Sequence, residues 1–246
     1  MSKLDEKVAL ITGGSRGIGA AIAKRLAADG ASVAITYAKE ASAASAVVKA
    51  IELSGGKAVA IQADAADVEA VKGAVEKTIA TFGRLDVLVS NAGTAIPKTF
   101  EETTLDEIDR VIDINVRGTL VATQAALKHM KPGGRIIMIG SSVGERVLVP
   151  GLVAYSATKG AVKMFSQGLS REVASRGITV NNVQPSPIDT DLNPAAGDWA
   201  VPQKAATALD RYGHVDEVAA LVAFVAGPES SYITGANLTV DGGMNA

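Results

Sequence analysis

The 246-residue sequence contains no cysteine. This excludes disulfides, thiolate zinc sites and cysteine nucleophiles, and leaves no sign of an oxidising compartment. Histidine is nearly as scarce: His129 and His214 stand far apart in sequence, so a histidine-built metal centre is implausible and no metal is expected. A bias of charge is lacking too. The 24 basic and 26 acidic side chains leave a formal charge of −2, with no bulk signal for a nucleic-acid partner or an anionic membrane. Long apolar runs are missing: stretches such as 218–226 fall well short of the ~18 residues a spanning helix needs. The opening MSKLDEKVALITGG sets acidic residues before a short apolar run that meets glycines at once, unlike a signal peptide or an anchor. A cytoplasmic location is expected.

What is present alternates. Short β-branched runs at 8–12, 32–36, 58–62, 87–90, 135–139, 179–184 and 238–240 have the continuous apolar character of strands buried on both faces. Between them, segments 19–29, 41–53, 68–82, 105–131, 155–175 and 215–226 carry helical spacing. This predicts a doubly wound α/β Rossmann fold of about seven parallel strands with helices on both faces. Ligands then bind beyond the carboxyl ends of the strands. No linker, low-complexity block or internal repeat interrupts the chain, so 1–246 is expected to form one domain. Segment 189–213, with two prolines, Trp199 and weak periodicity, is the expected substrate lid.

After the first strand comes Thr12-Gly13-Gly14-Ser15-Arg16-Gly17-Ile18-Gly19, directly before a helix. Strand, glycine turn and helix start make an anion site, because backbone N–H groups and the positive end of the helix dipole face the ligand. The spacing is G-x-x-x-G-x-G rather than the general dinucleotide G-x-G-x-x-G, and a turn that merely permits tight packing would look the same. No lysine follows the glycines, which argues against an ATP-type phosphate cradle. The second strand ends in Ile35-Thr36-Tyr37-Ala38-Lys39, without the acid that bonds a ribose 2′-OH in NAD sites. Arg16 in the glycine turn is placed to pair with a 2′-phosphate. NADP(H) is therefore favoured over NAD(H); the bland reading leaves Arg16 and Lys39 as solvated charges. Asp64 after the third strand is either an acceptor for the adenine amino group or an exposed turn aspartate. Asn91-Ala92-Gly93 is either a wall beside the cofactor ribose or an ordinary strand-end turn.

The fifth strand runs into Gly140-Ser141-Ser142, and Tyr155-Ser-Ala-Thr-Lys159 follows. On a helix, Tyr155 and Lys159 lie one turn apart on one face. A phenol with a free pKa of about 10 is a poor base at neutral pH, and a nearby ammonium favours the phenolate. Tyr–Lys pairs at this spacing are common by chance. In combination with the glycine turn, Asn91-Ala-Gly93 and Asn115 in Ile-Asn-Val, the chain resembles the short-chain dehydrogenase/reductase family over essentially its whole length.

The resemblance implies an NADP(H)-dependent oxidoreductase acting on a small-molecule carbonyl or alcohol, with Asn115, Ser142, Tyr155 and Lys159 as its catalytic set. Tyr155 would give its proton to the carbonyl oxygen, Ser142 would hydrogen-bond that oxygen, Lys159 would depress the Tyr155 pKa, and Asn115 would hold a relay water. Adjacent strand residues point opposite ways, so only one of Ser141 and Ser142 faces the site, and the family's spacing to the tyrosine selects Ser142. The implied cofactor contacts are Gly13, Ser15, Arg16, Gly17, Ile18, Gly19, Tyr37, Ala38, Asp64, Ala65, Asn91, Ala92, Gly93, Tyr155, Lys159, Pro185, Ile188 and Thr190. The chain departs from the family at Ser186, where a Pro-Gly pair is usual. If the backbone there needs φ > 0, serine costs of order 1 kcal/mol. Leu148, Val149, Leu152, Leu192 and Trp199 give the expected substrate pocket an apolar character. Arg146 is an anion clamp or, on the blander reading, a solvated loop arginine. Segments such as 170–180 look like 3-oxoacyl-carrier-protein reductases, and Arg176 is a candidate contact for an acidic carrier. The stretch 183–194 resembles a bacterial subgroup that includes a biofilm-dispersal regulator, so a nucleotide-sensing protein is the non-enzymatic rival. Helices 105–131 and 155–175 are apolar beyond one stripe, which points to a homodimer or homotetramer.

Overall fold

The computed structural model describes residues 3–197 and 199–246; Asp198 of the expected lid lies outside them. Seven strands, β1 (Val8–Ile11), β2 (Ser32–Tyr37), β3 (Lys57–Gln62), β4 (Val87–Ser90), β5 (Arg135–Ile139), β6 (Thr179–Pro185) and β7 (Asn237–Val240), form one sheet in the order β3-β2-β1-β4-β5-β6-β7. Every pairing is parallel. Parallel strands need crossovers, and eight helices supply them: α1 (Gly17–Ala28), α2 (Ala41–Leu53), α3 (Val68–Phe82), α4 (Leu105–Ile112), α5 (Gly118–Leu127), α6 (Val153–Val173), α7 (Ala200–Ala205) and α8 (Val215–Ala226).

Alternation along each strand divides the core into two layers. Ala9, Ile11, Ile137 and Ile139 pack with α1, α2 and α8, while Leu10, Ile136 and Met138 pack with α3, α5 and α6. Fully buried aliphatic side chains of this size contribute about 1.5–3 kcal/mol each, which is why central strands read as unbroken apolar runs. Strand order reverses between β1 and β4, and the crevice beyond their carboxyl ends is where such sheets take ligands.

The expected elements agree with the structure to within about two residues, with one exception. The run expected as a single helix over 105–131 contains a π-helical turn, Asp113–Arg117, between α4 and α5. Two contacts account for it. Asn115 is drawn onto Thr94 and Thr158, and Gly118 lies so close to the Ala65 carbonyl that no Cβ fits between them. Apolar spacing carries no trace of either contact. The helix ends at Leu127, where Arg176 donates to the carbonyls of Leu127 (2.9 Å) and Met130 (2.7 Å). Arg176 is thus a helix C-cap rather than a free basic contact.

Segment 189–213 has more order than its sequence suggests. It contains α7, and its ends are joined by a bridge between Ile188 and Gly213. Its C-terminal stem is fastened by Arg211, which pairs with Glu217 at 2.7 Å, while Glu217 also accepts from the His214 amide at 2.7 Å. Those bonds hold the Glu217 carboxyl at a pKa of about 2.

Candidate active site

Helix ends show where the site lies. Asp67 caps α3, while Thr104–Glu107 and His214–Glu217 capping boxes close α4 and α8. α1 has no side-chain cap and no acid in its first turn, as is also true of α2 and α6, and it differs from them in the glycine turn that precedes it. Its N-terminal amides are left for an anion. The turn before it needs its glycines: Gly13 and Gly17 have φ of +65° and +54°, and a Cβ on Gly13 would come 2.9 Å from Ala92 Cα. Gly19 packs against the Gly13 carbonyl too closely for any side chain. Gly13, Ser15, Arg16, Gly17, Ile18 and Gly19 thus form one turn at the carboxyl end of β1. An uncapped helix terminus behind a turn that excludes side chains fits a dinucleotide pyrophosphate.

Neighbouring strand ends complete this wall. Asn91 holds the glycine turn itself: its side-chain amide donates to the carbonyls of Thr12 and Gly13, both at 2.9 Å. Thr12 Oγ1 accepts from the Asn91 and Ala92 amides, at 3.0 Å each. The expected ribose wall is thus first a clamp on the turn. Asp64 accepts from the Ala66 amide and forms an ion pair with Arg110 at 2.9 Å. Those contacts leave its carboxyl below the usual range even though burial alone raises it. Tyr37 is half-buried on the core while Ala38 is exposed and bonded through its carbonyl to Gln62. Ala65 lies against Gly118. Pro185 ends β6 in a buried position, and Ile188 is in the core. Thr190 faces the glycine turn, its Cγ2 3.5 Å from where a Cβ of Gly17 would stand. Arg16 is exposed, with its guanidinium 4.0 Å from Asp191.

Tyr155 and Lys159 occupy the first turns of α6, beside Gly93. A Cβ on Gly93 would lie 3.6 Å from both Lys159 Nζ and Asn115 Oδ1. Lys159 Nζ is 5.6 Å from the Tyr155 ring centre and donates to the Ile139 carbonyl at 2.7 Å. Asn115 is buried in the π turn, its side chain bonded to Thr94 N (2.8 Å), Thr94 O (2.9 Å) and Thr158 Oγ1 (3.0 Å). These bonds join α4–α5 to α6 behind the lysine.

One expectation is corrected here. Ser141, not Ser142, is the hydroxyl that lies beside the Tyr155 phenol and favours its ionised form. Ser142 is completely buried and its Oγ has no partner. The backbone explains the difference. Ser141 continues the extended strand geometry (φ −166°, ψ 152°), and the chain then turns into the 3₁₀ segment Ser142–Gly144, which tucks Ser142 inward. Counting back from the tyrosine finds the serine beside the phenol only when the intervening loop has a fixed length. Burial pushes the Tyr155 phenol up, against a smaller lowering by Ser141. Burial also lowers Lys159 to about 8. The feared strain at Ser186 is absent, since φ there is not positive; its hydroxyl donates to Met244 Sδ at 2.9 Å.

Sequence reasoning gave no role to Thr12 and Thr158 within their motifs, and it missed Arg110, Gln184 and Asn245, the last two donating to the carbonyls of Ser141 (3.4 Å) and Ser142 (3.1 Å). Among the described residues no helix is long and apolar enough to cross a membrane, and no cluster of His, Asp or Glu could hold a metal ion.

A family model described as enoyl-(acyl carrier protein) reductase matches residues 13–245. A short-chain dehydrogenase from Burkholderia cenocepacia, solved in complex with NADP, is 54% identical, with a TM-score of 0.98 over 99% of this chain and 100% of that one. An uncharacterized oxidoreductase of Methylorubrum extorquens is 46% identical over 99% of this chain and 100% of its own length. The cyclic-di-GMP-binding biofilm dispersal mediator protein of Escherichia coli is 44% identical over 100% of both chains. Matched almost from end to end, with its glycine turn, tyrosine and lysine at one edge of a parallel sheet, the chain belongs to the short-chain dehydrogenase/reductase family of oxidoreductases.

Proposed function

We propose that this oxidoreductase is an NADP(H)-dependent carbonyl reductase that works through Ser141, Tyr155 and Lys159. The observation that carries the reading is the grouping of Tyr155 with the buried Lys159, whose Nζ is 5.6 Å from the phenol ring, beside Ser141 and at the same sheet edge as the glycine turn before α1. The cofactor, when bound, supplies or accepts hydride at the carbonyl carbon. Tyr155, protonated at neutral pH, gives its phenolic proton to the substrate oxygen. The Ser141 hydroxyl holds that oxygen in reach, and the Lys159 charge stabilises the phenolate left behind. Asn115 positions α6 by bonding Thr158, next to the lysine.

The absence of an acid at the end of β2, over 35–39, and the exposed guanidinium of Arg16 beside the glycine turn support a 2′-phosphate partner. Asp64 would serve the adenine, with Arg110 fixing its carboxylate. Arg16→Ala is expected to raise the KM for NADPH about tenfold with little effect on NADH, read from initial rates; the loss of one charge-assisted contact is worth about 1.4 kcal/mol. Equal effects on both cofactors would count against the assignment. The substrate-side loops expose Leu148, Leu192 and Trp199, which favours an apolar aliphatic or aromatic ketone. A carrier-protein substrate is less well supported, because Arg176 is engaged as a helix cap. We read the protein as cytoplasmic, one domain over 1–246, and a homodimer or homotetramer through the exposed apolar side chains of Leu120, Val153 and Met164 on α5 and α6.

The 44% likeness to a cyclic-di-GMP-binding protein supports a second reading, a nucleotide sensor that retains the cofactor site. Purified protein assayed with NADPH across a ketone panel separates the two: turnover supports the reductase, tight cofactor binding without turnover supports the sensor.

A further inference from the structure

The residues after β7 fold back on the site. Asp241 shapes the turn, its carboxylate accepting from the amides of Gly243 (3.0 Å) and Asn245 (3.1 Å). Gly242 and Gly243 have φ of +61° and +81°, so the sharp reversal depends on both being glycine.

The turn reaches three segments at once. On one side, Asn245 Nδ2 donates to the Ser142 carbonyl at 3.1 Å. That carbonyl also accepts from the amides of Glu145 (3.0 Å) and Arg146 (3.1 Å), closing the 3₁₀ turn that follows Ser141. Beneath the turn, the Ser186 hydroxyl donates to Met244 Sδ. On the other side, the Leu209 amide of segment 189–213 donates to the Gly242 carbonyl at 3.1 Å. A Cβ on Gly243 would come 2.8 Å from Ala208 Cβ, and one on Gly242 would come 3.4 Å from Thr207 Cβ. The arrangement is not the one that stability alone favours. Asn245 Oδ1 and Ser142 Oγ are both buried without a hydrogen-bond partner, a condition that costs about 1–3 kcal/mol per group. Locally unfavourable choices of this kind gather where geometry serves function.

We propose that the turn 241–246 couples the substrate-side segment to the catalytic hydroxyl, with Asn245 as a positioning residue for the Ser141–Ser142 loop. The inference rests on the reading of Ser141 as the hydroxyl that holds the substrate oxygen. Movement at 207–209 is transmitted through Gly242 and Gly243 to Asn245. From there it reaches the carbonyl that anchors the turn carrying Ser141. Asn245 touches neither the phenol nor the substrate position, so its influence is on orientation. A misplacement of about 1 Å in a catalytic group can lower the rate by up to about a hundredfold.

The test uses Asn245→Ala, Asn245→Gln and Gly243→Ala, with two readouts. Backbone hydrogen exchange is followed at Glu145 and Arg146, whose amides depend on the Ser142 carbonyl, and at Leu209, whose amide depends on Gly242. Steady-state NADPH oxidation gives kcat and KM. Asn245→Ala is expected to speed exchange about tenfold at both places. The same variant should lower kcat about tenfold without changing the KM for NADPH, and Asn245→Gln, which keeps the donor, should recover part of the loss. Gly243→Ala, whose added methyl presses on Ala208, should speed exchange at Glu145 and Arg146 as well as at Leu209, and carries the test alone if the Asn245 variants do not fold. Faster exchange confined to one side of the turn, or a lower melting temperature with unchanged kcat, would overturn the coupling. A wild-type protein that turns over no ketone would sink the reductase reading, and the exchange measurements would still decide whether the two segments are coupled.

Discussion

Ser141→Ala is expected to lower kcat for carbonyl reduction about a hundredfold or more, while Ser142→Ala leaves it within about twofold; loss of a single donor to a developing oxyanion is worth roughly 10²–10³ in rate. The two serines are neighbours of identical chemistry, so the contrast isolates geometry. Ser141 lies beside the Tyr155 phenol and favours its ionised form. Ser142 has a wholly buried hydroxyl without a partner. Removing an unsatisfied buried hydroxyl relieves a desolvation cost of about 1–3 kcal/mol, set against a small cavity. The melting temperature of Ser142→Ala should therefore hold or rise. Steady-state rates and thermal unfolding of both variants check this. A large kcat loss in Ser142→Ala with none in Ser141→Ala would reverse the assignment.

Lys159→Met should move activity and stability in opposite directions. Lys159 is 5% exposed, and burial lowers its pKa from 10.5 to about 8. The unfolded chain therefore holds the lysine proton more tightly than the folded one. The penalty is fully present below pH 8 and fades as pH rises from about 8 to about 10.5. The gap corresponds to about 3 kcal/mol. Loss of the bond to the Ile139 carbonyl returns about 1 kcal/mol of that, so a net gain of about 1–2 kcal/mol at pH 7 is expected. Wild-type stability should climb between pH 8 and 10 relative to the variant. Turnover should fall about 10²–10⁴-fold, because the phenolate left after proton transfer loses its neighbouring charge. Denaturant melts at pH 7 and 9.5 decide the stability half. A variant less stable than wild type at pH 7 would show that the ammonium is better solvated than its burial indicates.

The fold was legible because its signals are local. Short, mostly apolar runs rich in β-branched residues mark strands buried on both faces, as Val8–Ile11 and Val87–Ser90 are. The glycine turn was legible for the same reason, since Gly13 and Gly17 have positive φ that the sequence declares directly. What escaped was set by distant contacts. The π turn at Asn115 answers to Thr94 and Thr158, and the choice between Ser141 and Ser142 answers to a backbone turn after β5. The rise of the Tyr155 phenol and the fall of Lys159 were not legible either, because burial is a property of the whole fold and not of helical spacing. Arg176 was misread for a similar reason. Nothing in its sequence context announces two helix-end carbonyls as its partners.

The most direct test of the account follows absorbance at the reduced-nicotinamide band for purified wild type and Tyr155→Phe, with NADPH and a panel of apolar ketones. The account predicts NADPH oxidation by the wild type and a loss of about 10³-fold or more in the variant, with cofactor affinity preserved. Turnover that survives Tyr155→Phe would contradict it.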